Sequence, residues 1–148
     1  MSDLVRLSIS LESDLAAELD RLVERSRYEN RSEYVRDLIR AQLVDEEWQE
    51  GHEVLGTITL IYDHHQNGLS DKLNTLQHEH HASVLASTHV HLDHHLCAEM
   101  IMLRGLPDIL RGLTDDMRKL KGVLHAALAF SSTGHSLRKP GKHSHAHS

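Results

Sequence analysis

Residues 5–11 alternate: Val5, Leu7, Ile9 and Leu11 are apolar, and Arg6, Ser8 and Ser10 between them are polar. A period of two is the mark of a strand with one dry face and one wet face. The period then lengthens. Leu15, Leu19, Leu22 and Val23 recur at helical spacing behind Ser13, a good N-cap, with Asp14 in the first turn, and the pattern fades near Ser26. Asn30-Arg31-Ser32-Glu33 has the form of a capping box, so a second helix is expected to start here. Val35, Leu38, Ile39 and Leu43 form its apolar stripe, and Gly51 is the first stop signal.

After Gly51 the chain changes character. An apolar, β-rich run predicts a strand over 54–62, and Leu69, Leu73 and Leu76 suit a helix over 68–80. Two strands follow, 83–92 and 96–104. Pro107 then opens a helix with Ile109, Leu110, Leu113, Met117 and Leu120 on its inner face, and 123–130 is a last strand. The order β-α-β-β-α-β is the ferredoxin-like split, an antiparallel sheet backed by two helices. The chain therefore reads as α+β in two domains, 1–50 and 51–131, followed by a polar tail, 132–148, expected to be disordered.

The short first strand cannot stand alone, because its backbone groups have no ladder partner. A second copy supplies one. Two antiparallel strands from two chains would form a ribbon with Arg6, Ser8 and Ser10 outward, sized for the major groove of DNA. Charge limits how such a ribbon could work. The net charge is -6, and neither the first 43 residues nor the remainder is basic overall, so DNA contacts must come from locally placed groups rather than bulk attraction. Aromatic residues make up only 3%, which leaves an aliphatic core that oligomerisation would help. A single cysteine permits no internal disulfide, and no apolar run approaches the ~18 residues of a membrane span. A soluble, cytoplasmic protein without a membrane partner is expected.

The chemistry is concentrated between residues 76 and 103. Seven of the fifteen histidines lie from His78 to His95, and the only cysteine, Cys97, stands among them. On a strand, His89 and His91 point to one face. A hairpin turn at Asp93-His94-His95 would return Cys97 beside them. Two imidazoles and a thiolate suit nickel, copper, zinc or cobalt and disfavour calcium or magnesium. A fourth donor is needed. His78, His80 and His81 are the best sources, from the same chain or from a second subunit. The tail histidines His143, His145 and His147 read mainly as solvated.

A ribbon-helix-helix pattern joined to a ferredoxin-like half with Q-H-x-H-H, T-H-V-H and a cysteine six residues on resembles the nickel-responsive repressors of the NikR type, over about residues 4–130. The resemblance implies Ni(II) held by His89, His91 and Cys97 of one subunit and His78 of a neighbour, in a planar site. It implies a homotetramer, a dimer of dimers, that binds two separated half-sites of double-stranded operator DNA. Arg6, Ser8 and Ser10 would read bases, and Asn30 and Arg31 would hold phosphate at a helix N-terminus. Glu33 and Asp37 match positions lining a second cation site, usually potassium. Tyr62, His64, Gln77 and Glu99 match positions beside the metal, where hydrogen bonds orient ligands.

The function expected is nickel-dependent repression of transcription, with nickel uptake genes as the target. A nickel or copper storage protein or chaperone would use the same ligands but would have no use for the outward Arg6-Ser8-Ser10 ribbon. An enzyme is not expected, because catalytic metal sites keep an open position and four protein ligands leave none evident.

Overall fold

A computed structural model describes residues 3–137 of the chain. The elements run α1 (Ser13–Arg25), α2 (Arg31–Glu50), β1 (Val54–Asp63), α3 (Leu69–Glu79), β2 (Val84–His91), β3 (Leu96–Gly105), α4 (Pro107–Arg118) and β4 (Val123–Phe130). Two compact units divide the chain, Met1–Ala41 and Gln42–Ser148, so the division falls within α2.

In the first unit, α1 begins at Ser13 itself; the flanking residue is Glu12, and no side chain caps the helix. The start of α2 follows its sequence signal. Asn30 Oδ1 accepts the Glu33 N–H at 2.9 Å, the N-cap half of the capping box. Arg31 grips Asp20 through two hydrogen bonds of 2.7 and 2.8 Å. The alternating segment ahead of α1 forms no strand in the single chain. Leu4, Val5, Leu7 and Ile9 are 68–87% exposed, which is the condition of a strand sequence with no ladder to join.

The second unit is built on one sheet of order β2-β3-β1-β4, antiparallel throughout. Burial alternates along β1 and β3, so Ile58, Leu60 and Tyr62 share a dry face with Cys97, Ile101 and Leu103. Leu69 and Leu73 of α3 and Leu110, Leu113 and Met117 of α4 complete this core. The α2 segment of this unit adds Trp48, which stacks on Phe130 with ring centres 4.2 Å apart. The indole Nε1 donates to Ser131 O at 2.8 Å. Residues 132–137, expected as the start of a structureless tail, are instead tied down: the Ser132 and Ser136 hydroxyls both donate to Glu47 Oε1. His143, His145 and His147 lie outside the described residues.

Gly56 on β1 faces the most crowded part of the core. A Cβ there would stand 2.9 Å from Leu110 Cδ2 and 3.1 Å from Trp48 Cη2. Gly56→Ala should therefore destabilise the protein by about 1–3 kcal/mol through overpacking, read as a lower denaturation midpoint in urea at unchanged slope.

Candidate metal centre

The β2–β3 turn is set by one side chain. Asp93 Oδ1 accepts the N–H groups of His95 at 2.7 Å and Leu96 at 2.8 Å, a local carboxylate-to-backbone turn. These bonds hold the Asp93 carboxyl below the usual range. With the turn fixed, pairing places His91 opposite Cys97 and His89 opposite Glu99, while Tyr62 on β1 lies across from Cys97 on the other side. Residues paired in this way project to the same face. The sequence thus makes a local hairpin, and the sheet adds Tyr62.

Cys97 Sγ lies 3.3 Å from His91 Nδ1. A ring nitrogen of His64 joins them, so that one donor atom from each of His64, His91 and Cys97 falls within 4.8 Å of the others. Among the described residues this is the only such group. His89 is next to it, its ring centre 5.0 Å from that of His91 and its Nδ1 3.5 Å from the Tyr62 hydroxyl. His78 is exposed on the last turn of α3, beside His81 and apart from these donors. Of the four expected ligands, a single chain brings together His91 and Cys97, keeps His89 adjacent, and holds His78 away.

His64 was expected only as a neighbour that orients ligands, but it stands among the donors themselves. Its backbone explains why. Tyr62 is in register with Cys97, and two residues later the His64 N–H donates to His95 O at 2.9 Å, which pins the loop after β1 against the hairpin turn. That long-range pairing has no signal in local sequence.

Glu99 is buried and held at one oxygen: Gln77 Nε2 on α3 and Ser87 Oγ on β2 both donate to its Oε1, at 2.9 and 3.2 Å. This fixes α3, at the residue before His78, to the metal face of the sheet. Burial, then the negative charges of Glu99 and Cys97, push the Tyr62 hydroxyl up to about 12, so it stays protonated and can donate. Burial, with Asp93 and Glu99, also pushes the Cys97 thiol up. A metal bound by Cys97 would displace the thiol proton, which couples binding to proton release. Two imidazoles and a thiol this close fit a borderline-to-soft dication such as nickel. Gln77→Ala should lower nickel affinity by about 10–100-fold, as loss of an outer hydrogen bond does at other metal sites, in a chelator-competition titration.

The candidate DNA and cation residues lie in the first unit. Arg6, Ser8 and Ser10 are all exposed. Asn30 is used as a cap, and Arg31 makes a two-point ion pair with Asp20 at the surface. Asp37 is already occupied, accepting from the Tyr28 hydroxyl at 2.5 Å and from Arg40 at 3.1 Å; the Tyr28 bond, ahead of Arg40, holds its carboxyl low.

Residues 55–131 match the family described as NikR C terminal nickel binding domain, and residues 5–46 match the ribbon-helix-helix proteins of the copG family. A protein of Trichlorobacter lovleyi named "Putative nickel-responsive regulator" is 45% identical over 89% of this chain and 96% of its own. Proteins of the same name from Geobacter sp. strain M21 and Desulfovibrio desulfuricans are 45% and 43% identical, each over 93% of this chain and 99% of theirs. Among the described residues no helix is long and apolar enough to cross a membrane.

Proposed function

The chain belongs to the nickel-responsive regulators of the NikR type, with a ribbon-helix-helix DNA-binding part and a nickel-binding part, and from that premise we propose that it represses nickel uptake genes when nickel is abundant. The observation that carries this reading is the pairing of His91 with Cys97 on adjacent strands, with His89 alongside on the same face. We assign His89, His91 and Cys97 of one subunit and His78 of another as the nickel ligands. His78 is exposed and lies outside the close donor group of its own chain, which supports donation to a neighbour. His64 is poised to receive or orient the same ion.

Bound nickel would link the end of α3 in one subunit to the β2–β3 hairpin of another. The chain's own groups prepare that link. Glu99 holds α3 in place through Gln77, Tyr62 faces His89, and Asp93 sets the hairpin so that Cys97 meets His91. In this reading the assembly is a dimer of dimers, and each pair of N-terminal segments completes a ribbon that carries Arg6, Ser8 and Ser10 into one operator half-site. Coupling between metal and DNA is reciprocal, so operator DNA must tighten nickel binding by the factor by which nickel tightens DNA binding. The same reading gives Glu33 and Asp37 to potassium, which would have to compete with Tyr28 and Arg40 for Asp37.

The test is a fluorescence titration of promoter DNA from nickel transport genes with metal-free and nickel-loaded protein. Nickel should strengthen binding by about 5–150-fold, the usual span of allosteric coupling, and Arg6→Ala should abolish preference for the operator while leaving nickel binding intact. DNA binding that ignores nickel would return the protein to storage or transfer of the metal.

A further inference from the structure

The C-terminal half of α2 and residues 133–136 line a cleft of about 480 Å³, remote in sequence from the nickel ligands. Its wall includes Glu46, Glu47, Glu50 and Glu53, opposed by Arg104. Two of these acids are satisfied: Glu53 pairs with Arg104, and Glu50 with His52 at 2.9 Å. Glu47 is not. It is only 6% exposed, and its Oε1 accepts Ser132 Oγ at 3.0 Å, the Ser136 N–H at 3.4 Å and the Ser136 hydroxyl. Its Oε2 is buried without a partner among the described residues.

A buried carboxylate oxygen left unpaired is costly, and native structures fill such positions with water or an ion. Burial alone would push the Glu47 carboxyl up. The Ser136 and Ser132 donors and the nearby His135 more than offset this and hold it below its usual range, so Oε2 carries charge at neutral pH. We propose that this cleft is a further cation site, distinct from the nickel centre and from the Glu33 and Asp37 pair, that takes a hydrated hard dication of the magnesium type at the Glu47 carboxylate.

The donor set and its spacing select that class. The acidic wall supplies oxygen, which hard dications prefer. No three metal-binding groups gather here within the 4.8 Å found around Cys97, so the ion must keep most of its water, as magnesium does. Six waters at roughly 30 Å³ each occupy about 180 Å³, which the cleft accommodates. Glu46, exposed at the rim, is placed to meet the outer waters. An ion there would fasten residues 132–136 to α2 through the same glutamate that the two serines already hold.

The test uses nickel-saturated protein, so that the first site is filled, with Mn(II) as a probe whose free form is counted by electron paramagnetic resonance. Binding of one Mn(II), displaced by excess Mg(II) and weakened at least about tenfold by Glu47→Gln, is the expected result. Because Glu47 is buried, the double variant Glu46→Gln/Glu50→Gln, which changes only exposed positions, is measured beside it and should also weaken binding. Absence of Mn(II) binding to the wild type, or binding unchanged in both variants, overturns the site. Binding that survives those variants but is lost in His52→Ala/His135→Ala overturns the hard-cation assignment in favour of a nitrogen-donor site.

Discussion

Replacing Cys97 with alanine should leave the chain folded and remove its response to nickel. Cys97 is wholly buried in the core with Tyr62 and Ile101, and alanine keeps a small apolar group there, so the sheet should survive. In the proposed ligand set the metal then loses its only sulfur donor. Four-ligand structural zinc sites gain about 10–16 kcal/mol, or roughly 3 kcal/mol per ligand, so losing one should cost more than about a hundredfold in affinity. That exceeds the effect expected for Gln77→Ala, which removes a support and leaves every ligand in place. The absorption band of a nickel-bound thiolate should be absent in the variant, and its DNA binding should equal that of metal-free wild type at any nickel concentration. A wild type without the band, or a variant that kept the metal response, would place the ion elsewhere among the histidines.

The second large effect is structural. Trp48→Ala should lower stability by about 3–5 kcal/mol, the usual range for emptying a buried tryptophan site. Trp48 is 2% exposed, stacks on Phe130, and has Arg111 5.5 Å from its ring centre. At roughly 2–4 °C per kcal/mol for a chain of this size, Tm should fall by on the order of 10 °C, followed by far-ultraviolet circular dichroism. Trp48→Phe separates the contributions. It keeps most of the ring packing and gives up the bond to Ser131 O, so it should cost only about 1 kcal/mol from the hydrogen bond, plus a little volume. Nickel binding should persist in both, because the contacts of Trp48 run to Phe130, Arg111 and Ser131 and not to a proposed ligand.

The candidate metal centre was legible in the sequence to the extent that it is local. His89 and His91 share a face because strands have a period of two, and Cys97 meets His91 because Asp93 builds a short turn between them. The β-α-β-β-α-β order could be read for the same reason, since each element carries its own period and Gly or Pro marks several of the boundaries. What could not be read depends on partners far along the chain. The approach of His64 to Cys97 follows from pairing of β1 with β3, and the role of Glu47 depends on serines 85 and 89 residues away. The N-terminal alternation predicts a strand that the single chain does not form, because a strand is a relation between two segments and one chain supplies only one of them.

The burial of Cys97 also bears on how the regulator meets oxidative stress. Peroxide and disulfide exchange attack exposed thiolates, whereas this sulfur is inaccessible and its proton is held more firmly than in a free cysteine. No second cysteine is present to trap it in an intramolecular bond. The Cys97 sulfur should therefore oxidise more slowly than an open thiolate, which thiol labelling of metal-free protein after peroxide exposure would read.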